Sequence, residues 1–219
     1  MLTGVLPRPA AASYSLLHAR VFGRFATVAG VAAVRLFVAI NLPPPLRQGV
    51  WDAAEPLRRA NFPVRWVRPE ALHLTLKFLG EVDLSREADL LAALKQAAMG
   101  IKPFVLHLEG FGVFPSLGRP RVVWAGCHGP APLELLQHGV ERETEPLGFP
   151  VEGRPFQPHL TLGRAERHAR PEQFARLAER LDALAFEGEA TVGSLDLMES
   201  RLSRGGAEYT LRHATPLAG

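Results

Sequence analysis

The tetrapeptide His73-Leu74-Thr75-Leu76 recurs unchanged as His159-Leu160-Thr161-Leu162, and no fold is acceptable for this chain unless it explains both copies. Each copy sits in a strand pattern that leads into a glycine-bearing turn and then a helix pattern. Over residues 72–79 apolar and polar side chains alternate. Alternate residues of a strand share a face, so His73, Thr75 and Lys77 are expected on one side and Leu72, Leu74, Leu76 and Phe78 on the other. Gly80 reads as the strand's end, and residues 85–99 follow as a helix with Leu90, Leu91 and Leu94 as its apolar stripe. After the second copy come Gly163 and a helix over 171–184, with Phe174, Leu177 and Leu181 in register. Chance supplies roughly 0.3 His-x-Thr matches in a chain of this composition. The third match, His213-Ala214-Thr215, lacks the apolar flanks and runs into Pro216, so it reads as accidental. Two similar lobes related by a pseudo-two-fold axis are the simplest account of the repeat.

The other segments fit the same scheme. Apolar runs at 36–40, 64–67, 104–108, 122–125, 191–198 and 209–214 read as strands, 46–60 and 133–147 as amphipathic helices, and the glycine- and proline-bearing stretch 110–121 as a loop. The expected architecture is α+β, bilobal, with residues 35–217 forming a single domain. Residues 1–34 carry Arg8, Arg20 and Arg24, no acid and no strong period. They read as an extension outside the domain, disordered or dispensable, with a transit peptide as the other reading.

Composition narrows the function classes. Three of the 25 basic residues and none of the 22 acids lie in that extension, so the domain itself is balanced in charge. A groove gripping many phosphates would need a basic excess; recognition at a single terminus would not. Cys127 is the only cysteine, which excludes an internal disulfide and a cysteine-based zinc site and fits a reducing cytoplasm.

The repeated residue types have a chemical reason to occur together. A His and a Thr two apart on a strand stand about 6.6 Å apart on one wall, with the intervening Leu buried. Imidazole titrates near neutrality, so one His can serve as base while another serves as acid. A threonine hydroxyl can donate to a phosphoryl oxygen. Two such strands present two imidazoles and two hydroxyls to one phosphate, as in-line displacement at phosphorus requires.

On these two motifs the chain resembles the 2H phosphoesterase superfamily, and more narrowly the bacterial-type RNA 2′,3′-cyclic phosphodiesterases, also called the 2′-5′ RNA ligase family. Further stretches carry the resemblance: RLFVAI at 35–40, LHLTLKFLGEV at 72–82, 111–115, PRVVWAG at 120–126 and FQPHLTLGR at 156–164. It implies two antiparallel sheets lining a central cleft, with helices outside. It also implies His73 as proton donor to the departing ribose oxygen, His159 as proton acceptor that activates water, and Thr75 and Thr161 as phosphate-binding residues. The implied reaction opens an RNA 2′,3′-cyclic phosphate, in tRNA fragments for example, to a 2′-phosphomonoester. No cofactor, metal, membrane or obligate protein partner is expected, and the protein is expected to be a cytoplasmic monomer.

Further residues are candidates for substrate binding. Lys77 shares the expected face of His73. Arg164 follows the second motif at an odd offset, so a phosphate contact and a solvated strand end are equally open readings. Phe156 and Trp124 are candidates for stacking a base, with core packing favoured for Trp124. Other readings of the same motifs are 2′-5′ RNA ligation, 2′-5′ phosphodiester cleavage and turnover-free binding of RNA ends. A metal-dependent hydrolase would call for carboxylates or further histidines beside the motifs, and neither tetrapeptide contains any.

Overall fold

The computed structural model describes residues 33–203 and 206–219. Residues 1–32, most of the expected extension, lie outside the described residues, while Ala33 and Val34 open the first strand. In chain order the elements are β1 (Ala33–Asn41), α1 (Pro44–Ala53), α2 (Glu55–Arg59), β2 (Val64–Trp66), β3 (His73–Asp83), α3 (Glu87–Ala98), β4 (Phe104–Phe114), β5 (Val122–His128), α4 (Ala131–Thr144), β6 (His159–Ala165), α5 (Leu177–Asp182), β7 (Glu187–Val192), β8 (Ser194–Ser203) and β9 (Gly206–Pro216). No helix among the described residues is long and apolar enough to cross a membrane.

The strands form one antiparallel sheet in the order β7-β4-β5-β6-β3-β1-β8-β9, with β2 added to β6. This order reads the same from both ends. β3 corresponds to β6, β1 to β5, β8 to β4 and β9 to β7, so the pseudo-two-fold axis falls between the two motif-bearing strands. The two halves are joined at that axis through a single residue pair, Leu74 with Leu160. The halves also exchange strands. β4 leaves the first half to pair with β5, and β8 returns from the second half to pair with β1. Neither half can bury its apolar surface alone, which makes the two lobes one unit.

The helices cover one side of the sheet. Val50 of α1, Leu90 and Leu94 of α3, and Leu133, Leu136 and Val140 of α4 pack on Leu36, Val38, Ile40, Leu74, Leu106, Leu160 and Leu162 in the main core. Each such side chain, fully buried, contributes about 1.5–3 kcal/mol. The α3–α4 crossing is close: a Cβ at Gly139 would lie 3.1 Å from the Ala97 carbonyl oxygen. A second cluster, Leu57, Val64, Val123, Phe174, Leu177 and Leu181, seats α2 and α5. The face opposite the helices is the open one.

Several boundaries differ from the sequence expectation, each for a local reason. The 46–60 helix is two helices, broken at Ala54 with Pro56 in the first turn of the second. The 171–184 helix is a short 3-10 turn followed by α5, with Arg176 in the left-handed region (φ 67°) between them. Residues 110–114 extend β4 instead of forming a loop: Gly110 takes φ 73°, and Gly112 leaves room for the Trp124 ring, which a Cβ would approach to 2.3 Å. β3 does not stop at Gly80. It continues to Asp83 through an irregularity at which Gly80 adopts φ 77°.

The most consequential departure is a bulge that occurs twice. On β3, Ala39 pairs with Thr75 and Val38 with Lys77, so Leu76 is an extra residue. On β6, Trp124 pairs with Thr161 and Val123 with Gly163, so Leu162 is the extra residue. Both bulges fall on the second Leu of the tetrapeptide. One inserted residue reverses the alternation beyond it. The expected face of Lys77 is therefore corrected: Lys77 turns to the helix side, and Phe78, expected in the core, turns to the open side and is 53% exposed.

Candidate active site

β3 and β6 run antiparallel through the Leu74–Leu160 pair, and both leucines face the core. This register sets His73 opposite Thr161 and Thr75 opposite His159 on the open face. The two imidazoles thus occupy one diagonal of a square and the two hydroxyls the other. Diagonal Cβ atoms in such a pairing stand about 7–8 Å apart, a gap that a tetrahedral phosphate can occupy.

Each imidazole is fixed in the same way. His73 Nδ1 lies 2.8 Å from the Ala71 carbonyl oxygen, and His159 Nδ1 lies 2.7 Å from that of Gln157, in both cases two residues back. A carbonyl only accepts, so Nδ1 carries the hydrogen and Nε2 is left with its lone pair free. Aromatic rings hold the imidazoles from the side. Phe37 lies 4.8 Å from His73, Tyr209 meets it edge-on at 4.9 Å, and Phe114 meets His159 edge-on at 5.0 Å.

These surroundings keep both imidazoles neutral at pH 7. Desolvation is the main cause at His73, reinforced by the charges of Arg164, His159 and Arg47 and partly offset by the bond to Ala71, and it brings the pKa down to about 4. His159 is lowered as well, again first by desolvation and then by Arg164, against the bond to Gln157. Burial raises the Tyr209 hydroxyl above its ordinary value, while Arg164 and Arg35 pull it down.

The charge of Arg164 therefore acts on both histidines and on Tyr209. The β6 bulge explains this, because the residue after Gly163 returns to the face of His159 and Thr161. Lys77 behaves in the opposite way. It is 2% exposed and donates to the Glu141 carboxylate of α4 and to the Pro150 carbonyl oxygen at 2.9 Å. It stands behind β3 and reaches nothing in the cleft, which corrects its expected role as a substrate contact. Phe156 is half-buried against the main core. Trp124, favoured for the core, stands opposite Thr161 on the open side; its Nε1 is buried without a hydrogen-bond partner among the described residues.

Phe37, Phe114 and Tyr209 were not singled out from the sequence. Their only signal is strand alternation, and Tyr209 comes from β9, far from both motifs in the chain. Among the described residues no group of three or more His, Cys, Asp or Glu side chains is placed to hold a metal ion.

Known proteins share the family and the fold of this chain. Residues 43–204 match the model of the 2′-5′ RNA ligase superfamily. A protein of Methanothermobacter thermautotrophicus named RNA 2′,3′-cyclic phosphodiesterase is 34% identical over 177 residues, covering 81% of this chain and 95% of the relative. One of the same name from Thermus thermophilus is 34% identical over 194 residues, covering 85% and 91%. Among solved structures, a Thermus thermophilus protein superposes with a TM-score of 0.70 at 31% identity, covering 84% of this chain and 97% of that one. Escherichia coli LigT complexed with 3′-AMP gives 0.68 at 28% identity, covering 86% and 100%.

Proposed function

The chain belongs to the 2′-5′ RNA ligase superfamily, and on that footing we propose that it hydrolyses RNA 2′,3′-cyclic phosphate ends to 2′-phosphomonoesters with His73 and His159 as its acid–base pair. The observation that carries the proposal is the Leu74–Leu160 register, which puts the imidazoles on one diagonal and the threonine hydroxyls on the other.

His159 Nε2 takes a proton from water as the water oxygen attacks phosphorus. The bond from phosphorus to the ribose 3′-oxygen breaks, and His73 gives that oxygen its proton. The product keeps the phosphate on the 2′-oxygen. Thr75 and Thr161 donate to the two free phosphoryl oxygens, and Arg164 offsets the charge that builds on them. With its Nδ1–H held by Ala71, His73 takes up its proton at Nε2, the atom that faces the substrate. The anionic diester favours that uptake, opposing the desolvation that keeps the free imidazole neutral.

A consequence is readable in the pH profile. kcat/KM reports the free enzyme, and there both imidazoles titrate below the ordinary value of 6.5, His73 at about 4. As pH rises through these lowered values the acid loses its proton, and as it falls through them the base gains one. The kcat/KM optimum is therefore expected between pH 4 and 6.5, with the kcat optimum displaced upward because bound phosphate restores the proton affinity. An alkaline limb of kcat/KM above pH 7.5 would contradict this account.

The direct test is incubation of a short RNA ending in a 2′,3′-cyclic phosphate, with chelator present. The expected product is the 2′-phosphate at an unchanged rate. Loss of activity in chelator, restored by a divalent ion, would sink the acid–base mechanism. A cytoplasmic monomer completes the proposal; the cytoplasmic part fits a lone Cys127 that is buried, its thiol pushed up to about 12 by desolvation. Residues 1–32 are assigned no part in the reaction.

A further inference from the structure

Beside His73 the open face of the first lobe contains a pocket of about 340 Å³ that the phosphate chemistry does not use. His73 forms one side of it, Tyr209 and Leu211 of β9 form an apolar wall, and Asn41, Ser194 and Asp196 supply its polar lining. The volume lies within the range of about 300–1,000 Å³ usual for small-molecule sites.

The polar lining is fixed and one-sided. Asp196 is 4% exposed and has no ion pair among the described residues. It is held by the Ser194 hydroxyl (2.7 Å), the Asn41 backbone N–H (3.3 Å) and Asn41 Nδ2 (2.7 Å). Only an amide N–H can face a carboxylate, which settles the orientation of the Asn41 side chain. Its other Nδ2 hydrogen is directed at Met198 Sδ, 3.1 Å away. Both amide hydrogens and the serine hydrogen are thus occupied. What these residues leave for an occupant is acceptors: Asn41 Oδ1, the one Asp196 lone pair still open, on Oδ1, and the Ser194 oxygen. The donors at this pocket are the Arg47 guanidinium and the Tyr209 hydroxyl. Arg47 Nη1 binds the Glu70 carbonyl oxygen at 2.6 Å, which orients the guanidinium, and its Nε is buried away from the pocket.

Guanine alone among the four bases presents two adjacent donors, N1–H and N2–H₂, next to an acceptor, O6. Adenine, cytosine and uracil each bring at least one lone pair to the middle or both ends of the same edge, where it would oppose the carboxylate and leave a buried acceptor unpaired. We propose that this pocket is a nucleobase site selecting guanine in the nucleotide that carries the cyclic phosphate. The inference rests on the reading of the site as a cyclic phosphodiesterase, and it deepens it. A base seated between Tyr209 and Asp196 brings its own ribose past His73, so the ribose oxygen that departs is the one His73 protonates.

The test has a binding arm and a turnover arm. Titration calorimetry with 2′-GMP, 2′-AMP, 2′-CMP and 2′-UMP is expected to show the guanine nucleotide binding at least about tenfold more tightly than the others. Short RNAs that end in the four 2′,3′-cyclic phosphates are expected to show a similar spread in kcat/KM. Inosine in place of guanosine removes only the N2 amine and is expected to give up most of the advantage without any change to the protein. Asp196→Asn, read as the ratio of guanosine to uridine substrates, is expected to bring that ratio close to one. Equal handling of all four bases, or a ratio unaffected by inosine, would overturn the guanine site and leave the phosphodiesterase reading standing. Absence of turnover on all four RNAs would overturn the phosphodiesterase reading, while the binding arm still decides the base site.

Discussion

His73→Ala and His159→Ala are each expected to lower kcat/KM by roughly 10²–10⁴-fold, the usual contribution of a positioned acid or base. Folding should survive both changes, because each half-buried ring gives up a single bond to a carbonyl two residues away. The double variant is expected to be no worse than the poorer single one, since an acid and a base that act in one step are not additive. The two roles separate with a phosphodiester whose leaving group is 4-nitrophenoxide and needs no proton. On that substrate His73→Ala should recover most of its loss and His159→Ala none, as read by nitrophenolate release. Recovery by His159→Ala instead would exchange the two roles, and near-normal turnover of cyclic phosphate by either variant would remove the pair from the mechanism.

The site was legible in the sequence because its signal is local. His-Leu-Thr-Leu in a strand already states which side chains face a cleft, and the unchanged second copy states that there are two such strands. That β3 and β6 are hydrogen-bonded neighbours is a long-range fact that no local pattern carries. The limit of the local signal falls at one residue. Alternation holds from His73 to Thr75, then fails at Leu76 because the bulge inserts a residue into the ladder. Nothing in L-K-F-L distinguishes a bulged strand from a straight one. Lys77 and Phe78 consequently change places, and by the same device in β6 Arg164 comes to the cleft face. Because the bulge repeats at corresponding positions in both lobes, it belongs to the fold and not to an accident of one strand. The aromatic residues around the histidines were missed for a different reason. Phe37, Phe114 and Tyr209 read as ordinary strand residues until the strand order brings β1, β4 and β9 alongside the motifs.

The second large effect concerns the ion pair that the β3 bulge creates. Lys77 and Glu141 are 2% and 4% exposed, and the carboxylate also receives Gln137 Nε2 at 3.2 Å and the Glu152 backbone N–H at 3.3 Å. Lys77→Ala leaves a buried carboxylate without its cation, and Glu141→Ala leaves a buried ammonium without its anion. Each is expected to cost about 3–5 kcal/mol, since the desolvation of the remaining charge is no longer compensated. For a chain of this size that corresponds to a fall in Tm of roughly 6–20 °C. Replacing both partners with apolar residues of similar volume, Lys77→Met with Glu141→Leu, removes both charges together and should restore most of the stability. The groups this orphans are the Pro150 carbonyl and the Glu152 N–H, on residues exposed at the surface, and Gln137 Nε2, on a half-exposed residue, so water can take over at each. A double variant as unstable as the singles would mean that the pair contributes through geometry alone. Activity supplies the second readout. Lys77 adjoins Leu76, so the pair anchors the bulge that presents Phe78 and keeps His73 in register with Thr161. If that anchoring matters, the double variant should regain Tm but not all of kcat/KM. Full recovery of both would show that the bulge is held by the β1 and β3 backbones without help from the ion pair.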